Sequence, residues 1–137
     1  MAVSPTQRTL RELEQRGCHT GIVERFNIHA GPHGKRFDLF GIFDLVSMYP
    51  NQIYGIQCCG SDFSSHHEKI MESEMLVEWL KCGGGVELWA WRKVKLKRGG
   101  KAMRWKPRIR KYLLCLRSDQ TLEQGVTLEH EVTFDDE

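Results

Sequence analysis

The chain has 137 residues, 40% of them apolar and 28% charged, with a net charge of +2. These proportions fit one globular domain with a hydrophobic core and exclude a disordered or fibrous chain. No apolar run approaches the roughly 20 residues that span a bilayer, and residues 1–11 lack the apolar stretch of a secretory signal, so neither a membrane span nor export is expected.

Ser4 followed by Pro5 reads as an N-cap with proline at the first helical position, and Leu10 and Leu13 share a face of a helix over 5–15 that ends before Gly17. Ile22, Val23, Phe26 and Ile28 predict a strand, and the glycine- and proline-rich residues 29–34 a turn. Residues 38–46, dense in β-branched and aromatic side chains, predict a second strand. Pro50-Asn51 marks a turn, and residues 53–59 predict a third strand, apolar on both faces. Ser64 or Ser65 then caps a helix over about 66–81, in which Ile70, Met71, Met75, Leu76, Trp79 and Leu80 recur at helical spacing. Three glycines stop it at 83–85. Residues 86–91 predict a further strand that runs on into a hairpin, turning at Gly99-Gly100 and returning over about 103–116. One domain over 1–118 is expected, then an acidic tail over 119–137 with little to bury apart from a short strand near 126–132. A strand–helix–strand crossover makes part of the sheet parallel, so the fold class is α/β.

The five cysteines are odd in number and have no CxxC spacing, which argues against a disulfide framework and a zinc ribbon. Reduced, mostly buried thiols in a cytoplasmic protein are the simplest expectation. The small net charge hides an asymmetry. Residues 92–111 hold eleven Lys or Arg and no acid, the rest of the chain carries −9, and from Asp119 onward there are seven acids and no Lys or Arg. Such a basic arm suits phosphates, although lysine-rich hairpins also protect sheet edges. The candidate nucleic-acid contacts are Lys95, Lys97, Arg98, Lys101, Arg104, Trp105, Lys106 and Arg108. Trp105, embedded among cations, suits stacking on an exposed base, whereas Trp89 and Trp91, at period two, suit core packing.

Asp44 stands near the end of one apolar strand and Gln57 inside the next. Buried polar groups are costly unless they are paired or bind an ion. Asp38, Phe40, Ile42 and Asp44 share a side in an extended chain, as do Gln57 and Cys59. Either Asp44 and Gln57 face one cleft, or Asp44 caps a strand end and Gln57 satisfies a backbone group. Two histidine groupings, His29 with His33 and His66 with His67, invite a metal reading, but adjacent histidines on a helix diverge by about 100° and rarely chelate one ion.

An Asp near the end of one strand, a residue of Asp, Glu or Gln type on the next with a partner two positions later, and then a helix: this layout resembles the PD-(D/E)XK nucleases. The resemblance covers about 21–91 and is most specific at Asp38-Leu39-Phe40-Gly41-Ile42-Phe43-Asp44-Leu45 followed by Gly55-Ile56-Gln57. It is similar to the small phage and bacterial members described as Holliday-junction-resolvase-like or VRR-NUC-like. It implies a restriction-endonuclease-like αβββαβ core, a mixed central sheet flanked by helices, here with an added basic β-hairpin. It also implies a metal-dependent DNA endonuclease, with a homodimer left open. Asp44 would be the first ligand to Mg²⁺ or Mn²⁺ and Gln57 the second, with Glu24 an extra ligand, oxygen donors being what Mg²⁺ prefers. Glu24 paired with Arg25 or Arg36 is the competing reading. In the class a lysine follows two residues after the second acid. Here that position is Cys59, which supplies no fixed positive charge. Lys69 on the following helix is the substitute, unless it is an ordinary solvated residue. A decayed site on the same fold would leave a non-catalytic nucleic-acid-binding protein.

Overall fold

The computed structural model describes residues 2–116 and 122–130. Helix α1 (Pro5–Gln15) starts where Ser4 Oγ accepts a hydrogen bond from Gln7 N at 3.2 Å. Where one strand was expected over 22–28, two form: β1 (His19–Ile22) and β2 (Arg25–Asn27). Asp44 makes the break. Its carbonyl accepts from Val23 N at 2.9 Å and from Glu24 N at 3.3 Å, and the chain then leaves the main sheet to pair β2 with β3 (Lys35–Phe37).

The strand expected over 38–46 is not continuous. Leu39 and Phe43 face each other as an antiparallel bridge across a turn in which Phe40 and Gly41 both have positive φ, 54° and 76°. Two successive left-handed residues reverse a chain between antiparallel partners. Glycine adopts that conformation without steric cost, and Phe40 packs its ring against Trp79 at a centroid distance of 6.1 Å. Only the residues after the turn form a strand, β4 (Leu45–Tyr49), which pairs with β5 (Gln52–Cys59). The helix expected over 66–81 is two helices, α2 (Phe63–Glu72) and α3 (Glu74–Lys81). Ser73 divides them: its backbone is extended, with ψ 127°, and its Oγ accepts from Met75 N to cap α3. A serine competing for backbone amides in this way breaks a helical run. Then come β6 (Gly85–Lys95), β7 (Met103–Leu116) and β8 (Leu122–His130). β8 begins earlier than the strand expected near 126–132, and the rest of 119–137 lies outside the described residues.

The fold is α/β. Six strands form a mixed sheet in the order β1-β4-β5-β6-β7-β8. β5 and β6 are parallel across the α2–α3 crossover, and the other neighbours are antiparallel. Alternation along the strands makes two cores. Leu13 of α1 packs on Leu45, Tyr54, Ile56, Trp89, Trp91 and Ile109 on one face. Ile70 and Leu76 of α2 and α3 pack on Phe43, Cys59, Val86, Leu88, Ala90 and Tyr112 on the other. Both Trp89 and Trp91 are buried, as their spacing predicts. Among the described residues no helix is long and apolar enough to cross a membrane, and Cys18, Cys58, Cys59 and Cys82 are free thiols.

Gly55 is where the Asp38–Asp44 turn docks on the sheet. A Cβ there would lie 2.6 Å from three atoms of the Phe43 ring, and Phe43 is fully buried. Gly55→Ala is therefore expected to cost about 1–3 kcal/mol through overpacking, read as a lower urea midpoint at unchanged slope. A variant as stable as the wild type would show that the turn can lift away at little cost.

Candidate functional site

Two registers assemble the site. Leu39 opposite Phe43 puts the next pair outward, Asp38 and Asp44, side by side. Leu45 opposite Ile56 puts Asp44 opposite Gln57. Asp44 Oδ2 accepts from Gln57 Nε2 at 2.6 Å and from Cys58 N at 2.8 Å. Glu24 arrives through the β1–β2 break that the Asp44 carbonyl enforces. The carboxylates of Glu24, Asp38 and Asp44 offer oxygens within 4.8 Å of one another. They line a cleft of about 340 Å³, together with Gln57, Arg36, His66, Lys69 and the first residues of α1.

Three carboxylates so close repel one another, and the site answers with two cations and a proton. Lys69 Nζ lies 2.7 Å from Asp38 Oδ2, and Arg36 Nη1 lies 3.9 Å from Glu24 Oε1. Asp44 is 4% exposed, and burial pushes its pKa up from 3.8 to about 8. The Cys58 amide opposes that rise, and Asp38 and Glu24 add to it. Burial and the two neighbouring carboxylates thus favour the protonated form of Asp44.

The residues present fit a hard divalent cation. The donors are all oxygens, the set Mg²⁺ and Mn²⁺ take. Gln57 Oε1 is buried with no hydrogen-bond partner among the described residues, a costly state that an ion would relieve. Asp44, Gln57 and Glu24, the expected ligands, are thus brought together, and Lys69 reaches the same cleft. Asp38 was not among the expected ligands. Its pairing with Asp44 depends on the turn between them, and Gly41 is the one sequence signal of that turn. Cys59 shares the Gln57 side of β5 but is buried in the α2–α3 core, and its thiol is pushed up to about 12, chiefly by burial. Of the histidines, His66 lines the cleft. His67 turns to the Tyr112 hydroxyl at 2.8 Å, and burial and Arg110 lower its pKa.

The basic hairpin has two faces and a tip. By register, Arg92, Arg104, Lys106, Arg108 and Arg110 lie on the α2 face, while Lys93, Lys95 and Trp105 lie on the α1 face. Lys97, Arg98 and Lys101 are exposed at the turn. The candidate contacts are therefore not one surface. The α2-face row is aligned with the cleft. Asp44, Gln57, Leu88 and Arg110 stand side by side across four strands, and with neighbouring strands about 4.8 Å apart the cationic row starts roughly 14 Å from Asp44. Arg108 and Arg110 stack over Phe63 at 3.8 and 4.7 Å. Trp105 is 41% exposed, with the Arg8 guanidinium 3.9 Å from its ring centroid and Lys93 5.3 Å away.

No protein-family model, no curated protein and no solved structure matches this chain.

Proposed function

We propose that the chain is a metal-dependent DNA endonuclease of the PD-(D/E)XK class, with a restriction-endonuclease-like core. The observation that carries this reading is the convergence of Glu24, Asp38 and Asp44 within 4.8 Å, beside an unsatisfied Gln57 amide oxygen and Lys69. The order α1, antiparallel β1-β4-β5, crossover helices and parallel β6 supports it, being the αβββαβ order that the sequence resemblance implies. Asp44, Glu24, Gln57 and Asp38 would hold Mg²⁺ or Mn²⁺. Bound there, the ion would acidify water and neutralise charge on a phosphate. Asp44 would hold the ion as the carboxylate, so binding would compete with its proton. Asp38 fixes the Lys69 ammonium at the cleft, which supplies the positive charge that Cys59 does not. The Arg104, Lys106 and Arg108 row offers its cations to the strand's phosphates, without reading bases.

A second reading, a nucleic-acid-binding protein of the same fold with a decayed site, is favoured by Cys59 in the lysine position. Cleavage of duplex and branched DNA with Mg²⁺ or Mn²⁺ separates the two. Asp44→Ala is expected to slow cleavage by roughly 100-fold or more, metal-ion stabilisation being worth several kcal/mol. Lys69→Ala is expected to lower the rate while leaving DNA affinity nearly intact. A wild type that binds DNA but cuts none of these substrates with either metal would overturn the first reading and leave the second.

A further inference from the structure

Beside the carboxylate cleft, the C-terminal end of β5 carries a second set of donors, of which only His66 also lines that cleft. Cys59 Sγ, an Asp62 carboxylate oxygen and a His66 ring nitrogen all lie within 4.8 Å of one another. Local structure builds this set. Cys59 is the last residue of β5 and is buried. Asp62 is the residue before α2, and His66, four positions on, stands one turn above it on the same side of the helix. An Asp at a helix N-cap ordinarily accepts from the amides of the first turn. Asp62 makes no such bond. Its Oδ2 lies instead 3.2 Å from His66 Nδ1.

We propose that Cys59, Asp62 and His66 form a binding site for a borderline-soft divalent ion of the Zn²⁺ class, separate from the all-oxygen cleft. The donor set decides the metal. A thiolate, an imidazole and a carboxylate are the ligands Zn²⁺ takes, whereas Mg²⁺ prefers oxygen and keeps its water. Three protein ligands leave the fourth tetrahedral position to solvent. As the S–metal bond forms, the Cys59 thiol releases its proton to solvent. The neutral imidazole donates a lone pair, and Asp62 exchanges its contact with His66 for the ion. Thiolate and carboxylate together balance the 2+ charge. The ligands come from the end of β5 and the start of α2, so the ion clamps that connection, and His66 brings the clamp to the wall of the cleft.

The test is a Co²⁺ titration of the full chain followed by absorbance. A thiolate-to-cobalt charge-transfer band in the near ultraviolet, with the ligand-field bands of four-coordinate cobalt, should saturate at one Co²⁺ per chain. Zn²⁺ should bleach it and millimolar Mg²⁺ should not. Cys59→Ser should abolish the charge-transfer band, and Asp44→Asn should leave it. Because Cys59 is buried and its variant can lose the fold, His66→Gln provides the independent arm. Even outer partners of metal ligands are worth about 10- to 100-fold in affinity, so losing this ligand should weaken Co²⁺ binding at least that much, with the circular dichroism unchanged. Absence of the charge-transfer band in folded wild type would overturn the proposal. So would a band that survives Cys59→Ser, or an affinity unmoved by both His66→Gln and Asp62→Asn.

Discussion

At pH 8 in the presence of a chelator, Asp44→Asn should melt roughly 10 °C above the wild type, with most of the gap closing at pH 5. The direction follows from the proton. Burial raises the Asp44 pKa from 3.8 to about 8, so the folded chain binds this proton more tightly than the unfolded chain does. The stability that the protonated carboxyl contributes is whole below pH 3.8 and is lost as pH rises toward 8. Asparagine has no charge to bury. Its carbonyl oxygen can still accept from Gln57 Nε2 and Cys58 N, and its amide can face Asp38 and Glu24. The gain is on the order of a few kcal/mol at pH 8, which at this chain length gives the stated shift in Tm. Mg²⁺ or Mn²⁺ should raise the wild-type Tm by linkage, by about 2.7 kcal/mol of stability at a hundred times Kd, and leave the variant unmoved. Scanning calorimetry at both pH values, with and without metal, checks this. Equal melting of the two proteins at pH 8 would mean that Asp44 is not a buried, proton-holding carboxyl, and an equal response to metal would remove it from the ligand set.

The second large effect concerns salt. Replacing Lys97, Arg98 and Lys101 with alanine should weaken DNA binding and flatten the slope of log affinity against log salt by roughly one to three, each phosphate contact contributing about 0.9. These three cations are exposed at the tip of the hairpin, and their contribution should be alike on unrelated sequences. Trp105→Ala should change single-strand affinity little, because the Arg8 guanidinium, 3.9 Å from the ring centroid, competes with a base for the exposed ring. Fluorescence anisotropy at low and moderate salt reads both. A triple variant with the wild-type slope would make the hairpin a solvated edge and nothing more, and a large loss in Trp105→Ala would mean that Arg8 yields the ring to a base.

Much of this was legible along the chain. Ser4-Pro5 announced α1, the apolar run 53–59 announced the central strand, and Gly99-Gly100 turned the hairpin where composition said it would. Those features are local, set by capping, periodicity and turn chemistry. The failures were tertiary. An aromatic residue in the left-handed region at Phe40 has no composition signal, since Trp79 and the buried Phe43 hold the turn in place. With the turn hidden, 38–46 read as one strand and Asp38 was lost as a partner of Asp44. The break at Ser73 was masked by a hydrophobic pattern that kept helical spacing across it. Glu24 was expected in the site, but what brings it there is the Asp44 carbonyl, a backbone contact that no side-chain pattern encodes.

Two of the three tryptophans on the α1 face, Trp91 and Trp105, tie the hairpin to α1. Trp91 Nε1 donates to Thr9 Oγ1 at 2.8 Å, and that hydroxyl donates to Pro5 O at 2.9 Å. Arg8, the neighbouring residue, lies over Trp105. Two consecutive residues of α1 thus rivet the foot and the shaft of a long cantilever to the helix whose first turn walls the cleft. A load placed on that cantilever would therefore be carried through α1 to the wall of the cleft.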